Sequence, residues 1–178
     1  MKSNIVGYGN LSLVDTVLSR RSIRRYNKKE ISNDELNKIL EAGRQAPSAA
    51  NRQPSHFIVV TEDKIKKELS KGFFNGFIKE SHLTIVGCAN TGDILTGKWS
   101  IIDTTIALQN MVIVAWLLGV GSCWIGDFKE DKVKQLLKIP NKWKVVALVS
   151  FGYPAEQPKP KRKKPITEIV SFNNFSNN

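Results

Sequence analysis

At 178 residues, with 41% hydrophobic and 8% aromatic content, the chain is sized for one domain with a real core, and a disordered polycation is excluded. Its 27 Lys and Arg against 16 Asp and Glu give a formal net charge of +11, which calls for anionic partners without choosing among nucleic acid, a single phosphate or water. The cysteines Cys88 and Cys123 lie far apart, the histidines His56 and His82 form no metal-ligand spacing with them, and no stretch has signal-peptide form, so a soluble, reduced, cytoplasmic protein with neither metal nor membrane is expected.

In chain order, the apolar residues Leu11, Val14 and Leu18, with Leu13 and Val17, predict a short amphipathic helix over Leu11 to Ser19. The basic stretch RRSIRRY, residues 20–26, sits at its exit. Ser32 is placed to cap a second helix, with Asp34 and Glu35 in its first turn, an apolar face of Leu36, Ile39, Leu40 and Gly43, and Pro47 as its stop. HFIVVT, His56 to Thr61, reads as a buried strand; a lysine-rich helix around Ile65 and Leu69 follows, then a second strand, LTIVGCA, Leu83 to Ala89.

The longest helix signal runs from Ile102 to Leu118. Apolar nearly all round, it reads as a core helix covered on two sides, and Asp103, Gln109 and Asn110 argue against a membrane span. GVGSCWIGDF, residues 119–128, reads as a glycine-bearing loop, followed by a helix from Glu130 to Leu137 stopped by Pro140. KVVALVSFG, Lys144 to Gly152, has the continuous apolar character of a mid-sheet strand. Beyond it, residues 154–178 are rich in proline and lysine and then apolar at Ile166, Ile169, Val170 and Phe172, a tail expected to be extended and docked.

Three of these stretches carry chemistry. In RRSIRRY the arginines cluster beside one serine rather than spreading along a face with interleaved aromatics, which suits one phosphate held by bidentate forks; a solvated turn is the bland alternative. In APSAANRQPSHF, Ala46 to Phe57, small residues allow a flat ligand close to the backbone, and Asn51 and Gln53 each offer a donor and an acceptor, although proline-bounded polar loops are common without function. In GVGSCWIGDF the spacing is not that of a dinucleotide fingerprint, but Gly121 and Gly126 leave backbone amides free to meet a ligand beside Trp124 and Ile125. Neither a Ser/His/Asp nor a Cys/His constellation is visible, and His56 and His82 read as structural.

Taken together, RRSIRRY, ISNDELNKILEAGRQAPSAANRQPSHFIVV, DTTIALQNMVIVAWLLGVGSCWIGDF, VVALVSFGYP and KRKKPITEIV closely resemble, in order and spacing, the FMN-dependent nitroreductase family, from about Val14 to Val170. The stretch from Glu62 to Lys98 matches poorly. The resemblance implies an α+β fold, a three-layer α/β/α sandwich whose central, mostly antiparallel sheet has helices on both faces, spanning 1–178 as a single domain and forming a homodimer with FMN sites at the subunit interface. It further implies that Arg20, Arg21, Ser22 and Arg24 hold the FMN phosphate and reach the pyrimidine edge, that Pro47, Ser48, Ala49, Asn51 and Gln53 reach the flavin of the other subunit, and that Trp124, Ile125 and Gly126 lie against the isoalloxazine. Lys163 stands where the family commonly has an arginine two residues before its proline, with Lys161 two before it, which keeps the charge but loses the fork; Arg162 is an alternative for that role, and the tail would dock on the partner subunit.

The activity so implied is transfer of a hydride from NADH or NADPH to FMN and then of electrons to a nitroaromatic, quinone or similar small electron-poor acceptor, in ping-pong order. No catalytic side chain is required, because the cofactor carries the chemistry. Alternatives are a dedicated reduction on the same fold, such as dehalogenation or flavin fragmentation, and a basic nucleic-acid-binding module. Phe73, Phe74, Phe77 and Trp99 are candidates both for an acceptor pocket and for ordinary core.

Overall fold

The computed structural model describes residues 12–95 and 97–175; residues 1–11, with Leu11 of the first expected helix and the glycines before it, together with Thr96 and residues 176–178, lie outside them. Along the described residues the α-helices and strands are α1 (Leu13–Ser19), α2 (Asn33–Arg44), β1 (Ser55–Val60), α3 (Asp63–Leu69), β2 (Leu83–Asn90), α4 (Ser100–Leu117), β3 (Gly121–Ile125), α5 (Glu130–Leu137) and β4 (Trp143–Gly152). The strands form one sheet in the order β1-β2-β4-β3 with every neighbouring pair antiparallel. This is the expected α+β sandwich.

Period-two alternation sends the two faces of the sheet to different layers. Leu83 and Ile85 of β2 and Val149 and Phe151 of β4 pack with Leu108, Met111 and Val112 of α4 and Ile39 of α2. Val86 and Cys88 of β2 and Leu148 of β4 pack on the other side with Leu69 of α3, Val133 of α5 and Ile78 between them. The pairing Gly87 with Ala147 and then Cys88 with Val145 leaves Val146 as the extra residue of a bulge. Through that bulge Val145 faces the second layer while Val146 and Ala147 both face the first, so the pattern survives the irregularity.

α4 fits because two glycines make room for it. A Cβ on Gly87 would stand 2.6 Å from Leu108 Cδ1, and one on Gly43 would stand 2.0 Å from Met111 Cε, so strand and helix approach α4 closely from opposite sides. Extended by the preceding turn, Gly97–Leu117 is the helix long and apolar enough to cross a membrane among the described residues. Its Leu108, Met111, Val112 and Ala115 are fully buried against α2 and the sheet, which accounts for that composition by a core role.

The structure departs from expectation in three places. Residues 119–128 are not a loop throughout: Gly119 takes the left-handed turn after α4, φ 79°, and β3 begins at Gly121. α1 does not bury its apolar side chains; Thr16 is its buried residue, bonded to the Ser12 carbonyl at 2.8 Å, while Leu13, Val14, Val17 and Leu18 are exposed. α5 keeps its expected bounds, Glu130–Leu137, but is stopped by Lys138, left-handed at φ 55°, rather than by Pro140.

The expected cap of α2 is present and reaches further than the helix. Ser32 and Glu35 form a reciprocal capping box, with the Ser32 amide donating to Glu35 Oε2 at 2.8 Å, and Tyr153, just past β4, donates its hydroxyl to Glu35 Oε1. Burial pulls the Glu35 carboxyl upward, but the hydrogen bonds from Tyr153 and Ser32 outweigh it and leave the group below its ordinary value. A depressed carboxylate contributes stability above its unfolded pKa and loses it as pH falls through the folded one. Glu35→Ala should therefore cost roughly 1–2 kcal/mol in urea unfolding at neutral pH, and that cost should shrink as pH falls through the folded carboxyl's pKa, where wild type loses the same contribution.

Candidate functional site

The basic stretch 20–26 lies along the free edge of β3. Ser22 and Ser122 form a parallel bridge, and the Ile23 amide donates to the Ser122 carbonyl at 2.9 Å. Ile23 is fully buried with Tyr26 and Trp116, and the Tyr26 hydroxyl, 2.7 Å from Ser150 Oγ, donates to the Ile23 carbonyl at 2.6 Å. The approach is close enough that a Cβ on Gly121 would stand 2.7 Å from Ile23 Cγ1.

Anchoring Ile23 in the core turns its neighbours outward around one point of β3. Burial pushes the Cys123 thiol up, against the opposing pull of Arg24, Arg20 and Ser22. Arg20 is half-buried, and desolvation lowers its guanidinium, which stays charged all the same. Arg21 behaves differently: its Nη1 lies 2.9 Å from the carbonyls of Ser19 and Arg20 and 3.2 Å from that of Leu18, so it serves the last carbonyls of α1. Arg20, Ser22 and Arg24 thus form one cationic, hydroxyl-bearing patch at a strand edge.

Glu156, not singled out from the sequence, holds this patch in place. Its Oε1 accepts from the backbone amides of Arg24 at 2.6 Å and Arg25 at 3.1 Å, while the Ala155 amide donates to the Arg25 carbonyl at 2.9 Å. The available signal is its isolation, an acid standing just ahead of the lysine- and proline-rich run. Lys161 and Lys163 are exposed and make no hydrogen bond or ion pair among the described residues, so the patch is closed by Glu156 rather than by them within one chain.

Residues 124–127 are fixed from two sides. Trp124 Nε1 donates to Gln109 Oε1 of α4 at 3.2 Å, and Asn75 Nδ2 donates to the Asp127 carbonyl at 2.5 Å. Between them Gly126 is exposed, with nothing within 4 Å of where a Cβ would sit. That is a rigid backbone facing open space, able to take a flat ligand.

The second expected loop lies elsewhere. Ala50, Asn51 and Gln53 have φ of 50°, 53° and 50°, a conformation that non-glycine residues adopt at a cost. The turn is held by the Ala49 amide donating to both oxygens of buried Asp103, each at 3.2 Å, and by the Gln53 amide donating to Ser48 Oγ at 2.9 Å. Pro47, Asn51 and Gln53 remain exposed. Asp103 belongs to the first turns of α4, whereas Trp116, whose Nε1 donates to Ser19 Oγ at 3.0 Å, belongs to its last. At about 1.5 Å per residue these anchors stand roughly 20 Å apart, so one chain does not bring Pro47–Gln53 to Arg20–Arg24.

Other reactive groups offer little. Burial pushes the Cys88 thiol up to about 11 and lowers His82, and no cluster able to hold a metal occurs among the described residues. Of the aromatic candidates, Phe77 packs with Ile23, Tyr26 and Trp116, whereas Phe73, Phe74 and Trp99 are exposed.

Comparison with known proteins gives a consistent set of relatives. The group described as "Nitroreductase family" matches residues 17–83 and 96–153. A protein of Archaeoglobus fulgidus, provisionally named NADH dehydrogenase/NAD(P)H nitroreductase, is 37% identical over 148 residues, 79% of this chain and 84% of the relative. The crystal structure of a nitroreductase family protein from Clostridium novyi superposes with a TM-score of 0.77 at 36% identity, over 85% of this chain and 89% of the other. An FMN-dependent nitroreductase from Clostridium difficile gives 0.82 at 32% identity, over 91% and 99%.

Because Gly121 admits the buried Ile23, Gly121→Val should displace residues 20–26 from β3. Loss of about 1–3 kcal/mol of stability is expected from the overpacking, together with faster tryptic cleavage after Arg24 or Arg25 under native conditions. An unaltered cleavage pattern would show that the patch does not depend on this contact.

Proposed function

Since the chain belongs to the nitroreductase family, we propose that it is a flavin-dependent NAD(P)H oxidoreductase working as a homodimer, with FMN held between Arg20, Ser22 and Arg24 of one copy and the Pro47–Gln53 loop of the other. The single observation that carries this reading is the docking of the basic stretch on the edge of β3, Ser22 bridged to Ser122 and the Arg24 amide held by Glu156, on the strand that leads into the open backbone at Gly126. A Vibrio harveyi relative named NADPH-flavin oxidoreductase and a Bacillus subtilis relative named FMN reductase (NADPH) support the cofactor and donor.

The residues present fit FMN. Guanidinium forks and a hydroxyl suit its phosphate, and the exposed Gly126 segment leaves room for a planar ring against backbone N–H groups. FMN so bound would supply the redox chemistry, taking a hydride from NADH or NADPH and passing electrons to a nitroaromatic, quinone or similar acceptor in alternation. The chain's own work is to hold and orient. Arg20 and Arg24 neutralise the phosphate, Ser22 donates to it, and Glu156 fixes the arginine backbone so that the forks need not be ordered on binding. Gln109, through Trp124, and Asn75, through Asp127, keep residues 124–127 from moving away from the ring.

The roughly 20 Å between the half-sites along α4 supports a site shared by two copies. Among the described residues nothing covers the apolar side of α1: Val14, Val17 and Leu18 are exposed, as are Ile102 and Ile106 of α4 and Ile169 in the tail. Such a set of apolar side chains on one chain is what a second copy would cover, and the tail would dock there.

Purified protein should be yellow and dimeric by sedimentation. Arg20→Ala with Ser22→Ala should weaken FMN at least tenfold in a fluorescence titration and weaken riboflavin far less, because the lost partners are phosphate contacts. Glu156→Ala should act in the same direction, and Glu156→Gln, which keeps the acceptor, should recover most of the affinity. A monomer with full FMN affinity would overturn the two-copy site.

A further inference from the structure

One cavity of about 720 Å³ lies outside that patch, between α3 and α5 on the face of the sheet away from α4. Leu69, Val133 and Leu136 line it with Phe128, and Phe73 stands at its wall. Its size falls in the range of small-molecule sites. Phe73 is 88% exposed and meets Phe74 edge-on with ring centres 4.7 Å apart, so neither ring is accounted for by the core.

The charged lining is Glu68, Lys71, Asp127, Lys129 and Lys132. Glu68 and Lys71 neutralise each other at 2.6 Å. Lys129 and Lys132 have no carboxylate partner within ion-pair distance among the described residues, which leaves two cations against the single acid Asp127. The wall is built rather than loose: a Cβ on Gly72 would stand 2.3 Å from Asn75 Nδ2 and 3.2 Å from the Asp127 carbonyl, and Asn75 is itself buried and bonded to that carbonyl. Asp127 of its wall is also the residue after Gly126, so the cavity's wall is continuous in the chain with the backbone assigned above to the flavin.

We propose that this cavity binds the adenosine diphosphate end of the nicotinamide donor, with its phosphates on Lys129 and Lys132 and its adenine against Phe73. The assignment rests on the reading of the site as a flavin site that takes NAD(P)H. Of the two reactants in that reading, only the dinucleotide must carry both a planar base and phosphates away from its reacting ring. Unpaired lysines beside an exposed ring match that combination, whereas a neutral acceptor would leave the lysines unused.

The test uses the FMN-loaded dimer and ADP-ribose, which has the phosphates and adenine but no nicotinamide. ADP-ribose should bind wild type by calorimetry, and about tenfold or more weakly after Lys129→Glu with Lys132→Glu, and more weakly after Phe73→Ala. In steady state the double variant should raise KM for NADH or NADPH by a similar factor while leaving KM for 1-benzyl-1,4-dihydronicotinamide, a neutral donor without phosphates, close to that of wild type. Glutamate at the start of α5 suits the helix dipole, so thermal melts should show both variants folded. ADP-ribose binding equally to wild type and double variant, or a rise in KM for an anionic acceptor instead of the donor, would overturn the proposal. FMN content read by absorbance is a separate result: a protein that never holds FMN sinks the flavin reading, while ADP-ribose binding still reports on the cavity.

Discussion

Burial of Ile23 against Gly121 is the contact from which the candidate site is organised. β3 is the outer strand of the sheet, and its free edge would otherwise present unpaired amides and carbonyls. The Ser22–Ser122 bridge and the bond from the Ile23 amide close that edge, and Ile23 inserts its side chain beneath it. Alternation then forces Ser22 and Arg24 outward on either side. A protective device for a sheet edge and a place to gather cations are the same short segment.

α4 gives the molecule its second constraint, length. It passes between α2 and the sheet with Asp103 at one end and Trp116 at the other, and each end secures a different loop through a side-chain bond. A core helix used this way is a ruler: the separation of the loops cannot vary without breaking the packing of Leu108, Met111 and Val112. On the proposed reading, dimerisation is the geometric means of bringing unlike loop ends together rather than an addition to a finished site.

Much of the fold is legible in the sequence because the strong patterns are local. β2 and β4 announce themselves by apolar runs, α2 by Ser32 and Glu35, and α4 by length. β3 reads as part of a loop because its neighbouring glycines look like turn residues, while one of them, Gly121, is small to admit Ile23 from far up the chain and Pro154 from far down it. Arg21 cannot be separated from Arg20 by spacing, since its distinction is access to the carbonyls ending α1. Glu156 and Asn75 act on backbone groups far off in sequence, and such bonds leave no periodic trace. The exposed apolar face of α1 looks from its pattern like a core face, because a pattern specifies that a surface is to be covered but not by which chain.

The left-handed turn at Ala50, Asn51 and Gln53 couples surface to interior in an unusual way. Its strain is sustained by a buried carboxylate on a helix that carries no other acid, so the loop's shape is inherited from the core instead of being written in its own residues. Drift in this lineage would then be asymmetric, with the exposed tips free to diversify in chemistry while Asp103 stays put, and ligand preference could change without the scaffold having to be solved again.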